Sequence, residues 1–151
     1  MNSGHILLYV FAISLLLFNP VFAQEDFVTS DEVVAFDGYD LITYFDNNPL
    51  QGHRKITYGY QGLNLRFVSE DNKQKFIENP EKYLPAYGGW CAAALVHGKK
   101  VVPNFRLFKI QNERLLFFEI KAFFNGATHW EKNPEHNEIL ADAVYHKMTV
   151  Q

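Results

Sequence analysis

Between residues 56 and 68, apolar side chains occupy alternate positions in two short runs on either side of Gln61-Gly62. Ile56, Tyr58 and Tyr60 share one side of the first run; Leu63, Leu65 and Phe67 share one side of the second. A period of two marks strands with one buried face, and Gln-Gly between them is a hairpin turn. Asn64 and Arg66 point the other way, so that face is wet. Segments 105–110 and 115–120 form a second hairpin around 111–114. Short antiparallel hairpins need a covering layer, and the rest of the chain supplies it as helices.

Ser69 is a suitable N-cap for a helix over 70–78, with Glu70 and Asp71 in its first turn and Phe76 and Ile77 on its buried edge. Asn79-Pro80-Glu81 starts a short helix that Tyr83 and Leu84 finish, and Asn133-Pro134-Glu135 repeats that start signal. Ile139, Leu140, Ala143 and Val144 then follow helical spacing through Met148. Gly88-Gly89 breaks the chain before an alanine-rich helix over 90–96, with Gly98 as its C-terminal cap. Residues 122–131 are expected to be helical, 33–36 a short strand, 41–45 a strand or single helical turn, and 46–53 a loop. No internal repeat and no low-complexity tract is evident. The expected fold class is α+β: a small single domain of short antiparallel β-hairpins with several surrounding helices.

The N-terminus reads as a leader. An apolar run over 6–18 is 13 residues long, too short for a bilayer of about 30 Å. Val21-Phe22-Ala23 then offers a signal-peptidase site, which makes 1–23 a signal peptide. An uncleaved membrane anchor is the alternative, since the first five residues carry no Lys or Arg. Residues 24–32 are polar and expected to be flexible, and 33–151 form the domain. The net charge of −3 gives no basis for a nucleic-acid partner.

Cys91 is the single cysteine of the chain, so no disulfide can form within it. At the start of the 90–96 helix, terminal N–H groups would favour its thiolate. The alternative is that Cys91 packs in the core with Trp90, Ala94 and Leu95. A metal shared with His97 is unfavourable: along one helix the two lie about 120° apart and about 9 Å apart in rise. His97 suits the terminal carbonyls of that helix instead. His53, His129, His136 and His146 are scattered, with no spaced metal or nucleophile motif among them. Asp40, between aromatic residues, is either a turn or capping carboxylate or a buried acid lining a pocket. Asp142 is placed to pair with a basic group. Tyr39, Tyr44, Tyr58, Tyr60, Tyr83, Tyr87 and Trp90 all carry a polar handle that needs a partner when buried.

The order Gly38-Tyr39-Asp40-Leu41-Ile42-Thr43-Tyr44-Phe45, Tyr60-Gln61-Gly62, Phe67-Val68-Ser69, Phe76, Asn79-Pro80-Glu81-Lys82-Tyr83, Tyr87-Gly88-Gly89-Trp90-Cys91, Trp130 and Ala141-Asp142 resembles the exported YHS-domain proteins, over most of 33–146. The resemblance implies a hairpin followed by a helix, as in the metal-associated YHS modules, with extra helical segments. The three cysteine positions of those modules correspond here to Thr43, Val68 and Asn72, so their soft-metal site does not carry over.

The leading functional expectation is an exported, periplasmic or secreted binding or accessory module, non-enzymatic. Its guest would be a small ligand or a metal ion in an aromatic-lined pocket near Cys91, built from Tyr39, Asp40, Tyr44, Tyr87, Trp90 and Cys91. A thiol-dependent enzyme or redox protein using Cys91 is one alternative. A structural or partner-binding domain is the other. No stable membrane insertion is expected after leader cleavage, and the sequence sets no oligomeric state.

Overall fold

A computed structural model describes Phe27 and residues 34–150. The leader and the boundary at residue 33 lie outside the described residues. Within them the chain is a small α+β domain. The first hairpin pairs β1 (His53–Tyr60) with β2 (Leu63–Phe67); the second pairs β3 (Asn104–Gln111) with β4 (Arg114–Phe118). A third, minimal ladder joins β5 (Ile120–Lys121) to β6 (Phe124–Asn125). The helices are α1 (Glu70–Glu78), α2 (Pro80–Tyr83), α3 (Ala92–Leu95), α4 (Gly126–Trp130) and α5 (Pro134–Thr149). Single 3-10 turns occupy Phe36–Gly38, Leu41–Tyr44 and Ala86–Gly89. No described helix is long and apolar enough to cross a membrane.

These elements occur as a tandem duplication, which the sequence did not reveal. Three elements of the second half begin 51 residues after their counterparts: Leu41 and Ala92, His53 and Asn104, Leu63 and Arg114. Both hairpins carry the same irregularity, between His53 and Thr57 in one and between Asn104 and Phe108 in the other. The loop bonds repeat as well. Asp40 N–H donates to Leu50 O and Cys91 N–H to Val101 O; Asn48 N–H donates to Thr43 O and Lys99 N–H to Ala94 O. Left-handed residues precede both first turns: Phe36, Asp37 and Gly38 in one half, Tyr87, Gly88 and Gly89 in the other. The β5–β6 turn adds three residues. After it Phe76 matches Trp130 and Asn79-Pro80 matches Asn133-Pro134, with Phe76 and Trp130 both fully buried.

Two hydrophobic clusters form the core. The first collects Phe36, Tyr39, Leu41, Tyr44, Leu65, Phe67 and Phe76; the second holds Tyr87, Cys91, Leu95, Leu116, Phe118 and Trp130. Strand β2 follows the simple alternation, burying Leu63, Leu65 and Phe67. Strand β4 is buried on both faces. Leu116 and Phe118 enter the second cluster, while Leu115 and Phe117 enter the first. Where β2 turns Asn64 and Arg66 outward, the second half thus lends a strand face to the first core.

Three expectations need correction. The helix expected over 90–96 is only Ala92–Leu95, because Trp90 and Cys91 remain extended and Cys91 bridges to Phe117 as a strand residue would. The helix expected over 122–131 begins only at Gly126, the residues before it forming β5 and β6. The strand expected at 33–36 is a single bridge at Ala35, whose N–H donates to Asn64 O, leading into a 3-10 turn. Phe27, in the stretch expected to be flexible, is buried against the first core.

Candidate functional site

Asp40 and Cys91 occupy the same place in the two halves. Each caps the short helix that follows it, and each accepts the N–H of the residue leaving the second strand of its hairpin. Asp40 Oδ2 accepts from Val68 N–H at 2.9 Å, and Cys91 Sγ accepts from Glu119 N–H at 3.2 Å. Asp40 gains two further donors: Ile42 N–H to Oδ1 at 2.9 Å and Asn72 Nδ2 to Oδ2 at 2.8 Å. The Thr43 hydroxyl donates to the Asp40 carbonyl at 2.7 Å. Asp40 is therefore a fully buried capping carboxylate, not an acid open to a ligand. Of the three positions that match cysteines in the YHS metal modules, Val68 and Asn72 meet at this carboxylate, while Thr43 bonds the Asp40 backbone carbonyl.

Cys91 is fully buried. Burial pushes its thiol pKa up, and the backbone N–H groups of Ala94, Glu119 and Ala93 only partly oppose that. As the cap of a four-residue turn rather than a first-turn residue, it lacks the thiolate-favouring position that the sequence suggested. A thiol nucleophile needs access and a lowered pKa, and Cys91 has neither.

The six residues expected to share one pocket are divided. Tyr39 and Tyr44 belong to the first core, Tyr87 and Cys91 to the second, and Trp90 touches both. Two of the three tyrosine handles are met internally. The Tyr44 hydroxyl donates to Phe105 O at 2.8 Å, and Tyr39 Oη accepts from Arg106 Nε at 2.7 Å. Burial raises the Tyr44 phenol far above its usual range. None of these rings forms the wall of a cavity beside Cys91.

A cavity of about 300 Å³ does lie there, with a different lining: Ala94, His97, Lys99, Val101, Glu119, Lys121 and Phe124. Ala94, Val101 and Glu119 are the residues whose backbone groups bond Cys91, so the thiol sits one layer beneath the wall. The corresponding space in the first half is reached by Asn72 from α1. With the three-residue shift, Gly126 takes the place of Asn72 and has no side chain to offer. Lys99 and Lys121 are exposed and bring two ammonium groups to a lining that also holds His97, Glu119 and the apolar Ala94, Val101 and Phe124. Lys99 and Lys121 escaped the sequence reading because surface lysines carry no pattern of their own.

A larger cleft, about 380 Å³, is lined by residues that include Glu81, Lys82, Tyr87, Arg114, Asp142 and Tyr145. Its Arg114 and Asp142 are already matched. Arg114 pairs with Glu138 at 2.8 Å and with Asp142 at 2.9 Å, and its guanidinium lies 5.0 Å from the centre of the Tyr87 ring. Gln111 and Asn112 each donate to the second Glu138 oxygen at 2.7 Å. The basic partner expected for Asp142 is thus Arg114. Tyr87 Oη is enclosed without a hydrogen bond of good geometry, and burial raises its pKa, with the nearby Asp142 carboxylate adding to the effect. This network ties α5 to the second hairpin, a structural role.

Among the described residues, no three His, Cys, Asp or Glu side chains gather as a metal site requires. His97 stands at the cavity edge, exposed. Compared with models of protein families, with curated proteins and with solved structures, the chain matches none. Fold and site together define an internally repeated α+β domain with an open, lysine-edged cavity in its second half.

Proposed function

We propose that the chain is an exported, non-enzymatic binding module of the YHS type, and that its guest is a small organic acid held in the cavity beside Cys91. The observation that carries this is the pairing of two lysine ammonium groups, Lys99 and Lys121, with an apolar wall in a space of about 300 Å³. Among the described residues neither lysine takes part in an ion pair, and Glu119 is the one acidic residue of the lining, so a carboxylate entering there meets more positive than negative charge. Ala94, Val101 and Phe124 would cover its apolar body. The convergence of Thr43, Val68 and Asn72 on Asp40, Thr43 at its carbonyl and the other two at its carboxylate, supports the YHS resemblance, whose metal modules place cysteines at those three positions. The apolar run before Ala23 supports export. An organic guest is favoured over a metal ion because the cavity offers ammonium groups rather than a ligand set.

Benzoate and its neutral analogue benzyl alcohol are suitable probes, followed by titration calorimetry and amide chemical shifts. Benzoate should bind and shift Ala94, Val101 and Phe124. Lys99→Ala/Lys121→Ala should weaken it about tenfold, roughly 1.4 kcal/mol. Equal binding of benzyl alcohol, or shifts confined to the Arg114 cleft, would sink the proposal.

A further inference from the structure

We propose that a second cavity, where the end of α3 meets α4 and the start of α5, binds a phosphate group. Its volume is about 240 Å³. The polar part of its lining is His97, His129, Lys132, Asn133 and Asn137, and no Asp or Glu contributes to it. Of the acids nearest to Lys132 in the chain, Glu131 is paired with Lys109 at 2.6 Å and Glu135 lies outside the lining. Glu119 faces the other cavity, beside Cys91. Asn133 holds the N-cap position of α5, yet its carboxamide makes no capping bond there. Asn137 is fixed by its own bond to Trp130 O at 3.0 Å.

The first half is an internal reference for this space. Counterparts lie 51 residues earlier before the β5–β6 turn and 54 residues earlier after it. Val96 and Asn137 correspond to Phe45 and Tyr83, whose rings meet edge-on with centres 5.3 Å apart. Two aromatic rings thus fill in the first half what the second leaves open. His97 corresponds to Asp46 and Lys132 to Glu78, so bases stand where the first half has acids; His129 corresponds to the base Lys75. The backbone path is the same in both. Asn47 and Gly98 are both left-handed, and Asn79 and Asn133 share φ/ψ values of −150°/69° and −160°/72°. The differences therefore lie in side chains, and together they open a space and turn its charge from acidic to basic. A carboxylate has two oxygens to offer; a phosphate group has at least three and up to two negative charges. It can therefore accept from the Lys132 ammonium, both imidazoles and an amide at once. Ala93, Val96 and Trp130 supply the apolar part of the lining, against which an organic substituent on the phosphate would rest.

Inorganic phosphate and glycerol phosphate serve as probes, titrated at constant ionic strength with chloride as the balancing anion and followed by amide and indole chemical shifts. Both should shift Ala93, Val96, Asn137 and the Trp130 indole, saturating with a Kd of about 1 mM or below. Tighter binding of the ester marks esterified phosphate as the guest, and tighter binding of inorganic phosphate marks the free ion; each supports the site. Lys132→Glu, which puts the acid of the first half at an exposed position, should weaken binding at least about tenfold with circular dichroism unchanged. Val96→Phe/Asn137→Tyr rebuilds the aromatic filling of the first half and should abolish the shifts; if that variant does not fold, Lys132→Glu decides alone. His97 is the one residue common to the two linings, so the two cavities are separable. Lys99→Ala/Lys121→Ala should leave phosphate affinity within about twofold, whatever it does to benzoate. Chloride as effective as phosphate, affinity unchanged by Lys132→Glu, or shifts centred on Lys99 and Lys121 would each overturn the proposal.

Discussion

Asp40 and Cys91 answer the same structural demand with opposite chemistry. Each accepts the N–H that leaves the second strand of its hairpin, but Asp40 does so with a carboxylate that two further donors reach, whereas Cys91 does so with a buried thiol whose pKa burial raises. That burial has a pH consequence. The thiol pKa is raised in the folded protein relative to the unfolded chain, where it is about 8.5. Below that pH both states hold the proton and the thiol leaves stability unchanged. Above it the unfolded chain ionises first, so the fold loses stability as pH rises, by up to about 1.4 kcal/mol per pH unit. The buried phenols of Tyr44 and Tyr87 add the same effect above about pH 10. Urea midpoints should therefore fall from about pH 8.5 upward, and Cys91→Ala should remove the part below about pH 10. Iodoacetamide should label Cys91 only as fast as the protein opens; rapid labelling of the native state would contradict its burial.

At the scale of elements, boundaries written into local chemistry were legible and those imposed by tertiary contact were not. Ser69 caps α1 as its position suggests, accepting Asn72 N–H at 3.1 Å, and the helix runs over the expected residues. Pro134 opens α5 for the same local reason. The segment before α4 misled because its apolar residues fit helical spacing equally well. Asn125-Gly126 carries the missed signal. Asn125 Oδ1 accepts Thr128 N–H as a cap, and a Cβ on Gly126 would stand 3.1 Å from Glu119 O and 3.3 Å from Phe118 Cβ. Gly126→Ala should cost about 1–3 kcal/mol by overpacking, and Asn125→Ala about 1 kcal/mol by loss of the cap. Denaturant unfolding of the two variants checks the order; an indifferent Gly126→Ala would mean that α4 is free to move away from β4. The candidate cavity was beyond such reasoning. Its lining comes from 94–101 and 119–124, and only the fold brings Lys99 and Lys121 to one opening. The duplication was hidden for a related reason. Between 36–68 and 87–119, only Gly38 and Gly89, Leu65 and Leu116, and Phe67 and Phe118 are identical pairs at the 51-residue offset. Packing preserves the backbone path while nearly every side chain has changed.

For the whole molecule, duplication raises the question of whether the two halves fold as two units or one. Strand β4 decides it. Its two faces serve different cores: Phe117 stacks edge-on with Tyr44 and Phe105 in the first, and Phe118 meets Trp130 in the second. Neither core is complete without the same five-residue strand, and Trp90 lies against both. Removal of either ring should therefore destabilise the entire domain. Phe117→Ala and Phe118→Ala should each cost about 3–5 kcal/mol, the range for a buried phenylalanine. In both variants the transition followed by tryptophan fluorescence, which reports Trp130 in the second core and Trp90 between the two, should coincide with the one followed by circular dichroism. Two separated transitions in Phe117→Ala, with the second core persisting after the first has melted, would show that the halves are independent. The shared strand argues for the opposite. A half whose hairpin must bury both faces cannot leave its neighbour, so the open cavity of the second half is held rigid by the closed core of the first.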